Sequence, residues 1–214
     1  MQGGAPRVVW LTLGTDPRAI SVVSAAQRLR DEGRPCHLVW DPRTGCIAQM
    51  LPVVRAGRAL GTREHISYEP VPGNGSVAPV NREGRLCVQI AVLASPGEPF
   101  TSHAMNRLVE LLSWLDSWGI PRRWPAGQPA PVRQAETRPR SRALWARGGH
   151  FGASQVPDCT SVGPGGIDID LLTGKDAVPS VIMEPERPAP AIRLDRHAGV
   201  RIAQRELPLT AASV

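Results

Sequence analysis

Apolar positions along this chain come in blocks that can be assigned element by element. "RVVWLTLG" (7–14) is a nearly continuous apolar run that stops at Gly14, the pattern of a central strand buried on both faces. "DPRAISVVSAAQRLRDEG" (16–33) then predicts a helix. Asp16 would be its N-cap, Pro17 its first residue, Ile20, Val23, Ala26 and Leu29 its apolar positions, and Gly33 its stop. "CHLVW", the turn "DPRTG" and "CIAQML" predict a two-stranded hairpin. "RLCVQIAVLA" (85–94) is the most strand-like run of all.

A long amphipathic helix is expected over 101–119, with Met105, Leu108, Leu112 and Leu115 as its stripe. Thr101 or Ser102 would cap it, and Gly119 with Pro121 would end it. Residues 61–84 read as irregular, and 121–141 as an extended, surface-lying Pro/Arg-rich connector. Glycine-rich "GGHFGASQVPDCTSVGPGG" (148–166) reads as a loop leading into a short helix near 167–173. After Lys175 the helical period is lost. Residues 175–214 read as an extended arm with one hairpin, attached to a domain spanning 1–174. The sum is an α/β fold, a central mixed sheet flanked by helices.

Composition changes this picture little. The net charge of +6 comes from 24 Arg and one Lys. The arginines are spread along the chain and form no compact basic run, so nucleic acid is not an expected partner. No apolar run approaches the roughly 18 residues of a membrane span. The start lacks a charged segment followed by an apolar one, so cytoplasmic synthesis without a signal peptide is expected. None of Cys36, Cys46, Cys87 and Cys159 forms a CxxC. Cys36 and Cys46 could face each other across the hairpin, with buried free thiols as the alternative.

Laid in order, "RVVWLTLGT", the "DPRTG" hairpin, "NREGRLCVQI" and "GGHFGASQVPDCTSVGPGGIDID" resemble the zinc N-acetylmuramoyl-L-alanine amidases of type 2. Phage lysins and peptidoglycan recognition proteins share that fold. The resemblance spans about four-fifths of the chain, residues 5–174. It implies an amidase type 2 fold and a single zinc held by two His and a third Asp or Cys. The fourth position stays open for a water whose pKa falls to about 7, and a Glu in many members handles the proton.

Position by position, the implied chemistry is missing. Leu11 stands where the first His belongs, Ala91 where the Glu belongs, Ala153 in place of the second His, and Gly163 in place of the Asp. The flanking Gly152, Val156, Pro157, Pro164 and Gly165 still match. The resemblance therefore implies a pseudoenzyme with no metal, no cofactor and no catalytic residue. His37, Asn81 and His150 remain as candidate binding residues, His37 for packing or substrate contact and His150 as a loop or groove residue, with metal ligation as the rival role for both histidines. Cys159 is a weak alternative ligand. Trp114, Trp118, Trp124 and Trp145 are expected to pack the long helix and the connector rather than stack on sugars.

The leading expectation is a structural or interaction protein. Its setting would be a phage or phage-like particle of an actinobacterial host, with the arm adding a strand to a partner protein's sheet. A non-catalytic peptidoglycan-binding protein is the alternative, although an apolar floor suits a collapsed cleft better. An active zinc amidase with relocated ligands is the third reading.

Overall fold

A computed structural model describes residues 4–61, 86–95, 98–174 and 192–193. The chain folds as an α/β layer. Five strands form a mixed sheet: β1 (Arg7–Thr12), β2 (Leu38–Trp40), β3 (Ile47–Gln49), β4 (Cys87–Val92) and β5 (Gly149–Gly152). The two-residue β6 (Ile192–Arg193) adds to its edge, giving the order β5-β1-β4-β2-β3-β6. β1, β2, β4 and β5 run parallel and β3 is antiparallel to β2. β6 pairs in parallel with β3 through Ala48↔Ile192 and Gln49↔Arg193.

The apolar runs at β1 and β4 are explained by burial on both faces. Successive side chains on a strand point to opposite sides, so Val9, Leu11, Val39 and Ala91 enter one core layer. Val8, Trp10, Trp40 and Ile90 enter the other. Helix α1 (Val22–Asp31) covers the first face with Val22, Ala25, Ala26 and Leu29. Helix α2 (Leu108–Ser117) covers the second with Leu108, Leu111, Leu112 and Leu115. Short helices α3 (Arg142–Ala146) and α4 (Ile169–Thr173) complete the described structure.

Both long helices start later than the sequence suggests. Asp16 Oδ1 accepts the Arg18 amide at 2.9 Å and closes a turn instead of a helix. Ser21 is the true N-cap, its Oγ accepting the Ser24 amide at 3.1 Å. Ser21→Ala should therefore cost about 1 kcal/mol in urea unfolding and Asp16→Ala clearly less. Equal losses would contradict this helix start. Residues Phe100–Ser102 form a separate 3-10 turn. α2 begins only after Arg107, which has a left-handed φ of 64°.

The hairpin forms as expected. Asp41 accepts from the Arg43 amide and the Thr44 hydroxyl, and Gly45 takes the left-handed φ of 72° that the turn requires. Its cysteines do not pair. Cys36 is buried, donating to the Leu38 carbonyl at 3.1 Å, whereas Cys46 is exposed. Two expected loops are also structured. "GHFG" is strand β5, and the 121–141 connector buries Trp124, Ala130 and Ala135. Trp124 is held by its Nε1–H donating to Gln155 Oε1 at 2.7 Å. Of the 175–214 arm, only Ile192–Arg193 is described, and those residues pair with this chain's own sheet. The expected hairpin in the arm lies outside the described residues.

Candidate functional site

One cleft gathers the positions that the sequence singled out. It opens where β1 ends, with α1 on one side and residues 161–163 on the other. Its volume is about 240 Å³, and Leu11, Ala153 and Gly163 all line it. Ala91 lies directly beside Leu11 on the neighbouring strand, in register and fully buried in the same core layer. Three residues far apart in sequence thus line one cleft at the carboxyl ends of parallel strands, with Ala91 buried beside the first of them.

Local structure explains each placement. The sheet alternation sends Leu11 and Ala91 to the α1 face. Ala153 starts a 3-10 turn straight after β5. Gly163 is pinned by its carbonyl, which accepts the Ser154 amide at 2.7 Å. It also lies so close to β1 that a Cβ would meet Thr12 Oγ1 at 2.6 Å.

The floor offers no metal donor. Zinc takes His nitrogen, Cys sulfur or carboxylate oxygen, whereas Leu11, Ala91, Ala153 and Gly163 present only carbon-bound hydrogen. The residues present do not fit the ion. Buried Cys159 lies in the same core layer, with its Sγ accepting the Ser161 amide at 3.4 Å. Among the described residues, no three His, Cys, Asp or Glu side chains come together as a metal-binding group.

At the vacated positions the floor is closed, with Ala91 and Ala153 fully buried and Leu11 nearly so, and the open space lies above them beside Leu13, Ile20 and Val162. Ala25, Ala59 and Ala153 form its packed base. Its mouth is charged. Glu32 pairs with Arg28 at 2.8 Å and with Arg34 at 3.4 Å.

Neither described candidate histidine belongs to this cleft. His37 is buried, its Nδ1 accepting the Gln89 amide at 2.9 Å. That leaves Nε2–H to donate to the Arg55 carbonyl at 2.7 Å. Both ring nitrogens are used inside the protein, and burial holds the ring's pKa below its ordinary value. His150 lies on the α2 face, opposite the cleft. It lies tilted between Trp10 and Trp124, at centroid distances of 5.9 and 6.2 Å. Its Nδ1 accepts the Trp10 indole N–H at 3.2 Å, and burial pushes its pKa down to about 4. Asn81 lies outside the described residues.

Among the described residues, the aromatic side chains pack within the fold. Trp145 of α3 meets Phe151 at 4.9 Å, not the long helix, and Arg7 lies 4.4 Å over its ring. Trp114 and Trp118 pair edge-on at 6.4 Å on α2, with Trp118 partly exposed. The sequence reading missed Gln89, which supports the cleft wall. Its buried Oε1 accepts the Ala59 amide at 2.9 Å and its Nε2 donates to the Gly57 carbonyl at 3.2 Å. A lone Gln inside the "CVQIAV" strand was the available signal, because a polar side chain buried in a sheet needs partners.

No family model, curated protein or solved structure matches this chain. The site is therefore argued from its own residues. Among the described residues, no helix is long and apolar enough to cross a membrane.

Proposed function

We propose that this chain is a catalytically inactive, amidase-like structural or interaction protein. The observation that carries the reading is the convergence of Leu11, Ala153 and Gly163 on one cleft, with Ala91 buried beside Leu11 on the neighbouring strand. The positions where a zinc amidase would need ligands and a proton carrier come from two strands, the 3-10 turn after β5 and a loop. Chance placement would scatter them. Each is replaced by a side chain unable to bind metal or move a proton, while the turns around them persist. The order strand, helix, hairpin, strand, helix, strand and loop also follows the order of the matching motifs.

The setting we propose is a phage or phage-like particle of an actinobacterial host. The lysin-like resemblance and the Arg-rich, Lys-poor composition support it. Purified protein is expected to carry no stoichiometric zinc and to release no peptide from peptidoglycan. One zinc per chain with release activity would sink this reading in favour of relocated ligands.

The open cleft favours a second reading, a peptidoglycan-binding protein without catalysis. Saturable, salt-resistant sedimentation with insoluble cell wall would support it, and absence of binding would leave the structural role.

A further inference from the structure

Open α/β sheets place ligands outside the carboxyl ends of their parallel strands. The cleft lies there, walled by the segment Leu11–Thr15 as it leaves β1. Leu13, Ile20, Ala25 and Leu29 extend its apolar interior. Among the described residues, no aromatic side chain lines it, so they offer a sugar ring no stacking platform. Its volume of about 240 Å³ exceeds the roughly 150 Å³ of an apolar cavity that holds benzene. A branched alkyl group fits both the size and the lining.

Charge at the mouth selects what such a ligand carries. Arg28, Arg34 and Glu32 all line the cleft, giving two guanidinium groups to one carboxylate. Arg34 is steadied by donating from Nη2 to the Ala59 carbonyl at 3.1 Å. Among the described residues, Arg28 engages Glu32 through Nε alone, which leaves both of its Nη nitrogens as donors. The net single positive charge suits a monoanion. A phosphate dianion would meet the Glu32 carboxylate at close range.

We propose that this cleft binds an aliphatic carboxylate. Its alkyl group would sit against the partly exposed Leu13, Ile20 and Val162, and its carboxylate on Arg28 and Arg34. Both a free branched-chain acid and the C-terminus of a peptide ending in Leu, Ile or Val carry this chemistry. The inference stands on the cleft itself and holds whether or not the chain is amidase-like.

Titration of the full chain with N-acetyl-L-leucine tests it, read by calorimetry or by amide shifts. A Kd of about 1 mM is expected for a ligand of this size. N-acetyl-L-leucinamide, which lacks the charge, and N-acetylglycine, which lacks the alkyl group, should each bind about fivefold to tenfold more weakly. Arg28→Gln/Arg34→Gln should show the same loss with only a small drop in the urea midpoint, since exposed ion pairs contribute little to stability. Equal binding of 4-methylpentanoate would identify a free acid as sufficient, whereas much tighter binding of acetyl-Ala-Ala-Leu would identify a peptide end. No saturable binding of N-acetyl-L-leucine, or equal binding of its amide, overturns the proposal. If the double variant does not fold, the amide comparison still decides.

Discussion

Leu11→His, Ala153→His and Gly163→Asp, combined with Thr12→Ala, should give a chain that binds one zinc with a Kd of about 1 μM or tighter. That corresponds to roughly 8 kcal/mol of binding free energy. The fourth substitution is needed because any Cβ at position 163 runs into Thr12 Oγ1 at 2.6 Å. Without it, the triple variant should bind more weakly by about 1–3 kcal/mol, the usual cost of overpacking. Metal analysis after gel filtration gives the stoichiometry. A rise in melting temperature with added zinc gives an independent readout, because binding to the folded state alone stabilises by mass action. A variant that folds and takes up no zinc would mean that these positions do not share a ligand geometry. The amidase-like reading would then lose its main support.

The second large effect concerns acid. His150 is buried between two indoles, with its pKa pushed from 6.5 down to about 4. The unfolded chain takes up this proton first as pH falls. Stability contributed by the neutral ring is therefore complete above pH 6.5 and is lost progressively down to about pH 4. The loss should total about 3 kcal/mol. Protonating Nδ1 would also abolish its acceptance of the Trp10 N–H. Asp116 and Arg122, which are bound to each other, act on the ring with opposite signs and less strongly than burial does. His37, lowered by burial as well, adds to the loss in the same direction. His150→Gln keeps an acceptor for Trp10 without titrating. Its urea midpoint should fall less between pH 6.5 and 4 than that of the wild type. Parallel slopes would assign the acid sensitivity elsewhere.

What the sequence made legible follows from burial. β1 and β4 are covered on both faces, so their apolar runs are nearly unbroken and easily seen. The "DPRTG" hairpin was legible because Asp41 and Gly45 have chemical duties in the turn. The helix starts were not. Asp-Pro at 16–17 carries the same local signal whether it caps a helix or a turn, and only tertiary packing selects Ser21. β5 escaped because two of its four residues are glycine, giving no β-branched pattern. That omission also misplaced His150. Once "GHFG" is a strand, alternation puts Phe151 on the α1 face and His150 on the other. In the Pro-rich stretch at 121–141 the packing of Trp124 was expected, but the burial of Ala130 and Ala135 was not, since composition says nothing of what a small side chain will be covered by.

Both flanks of the sheet are already taken. On one side the connector lies against β5, where the His150 amide donates to the Arg123 carbonyl at 2.8 Å. On the other, Ile192–Arg193 occupies β3. An uncovered strand edge is a template for any passing chain. An incoming strand would therefore have to compete with a two-residue segment of the protein's own arm. Assembly by strand addition becomes an exchange reaction, paced by how often Ile192 and Arg193 let go.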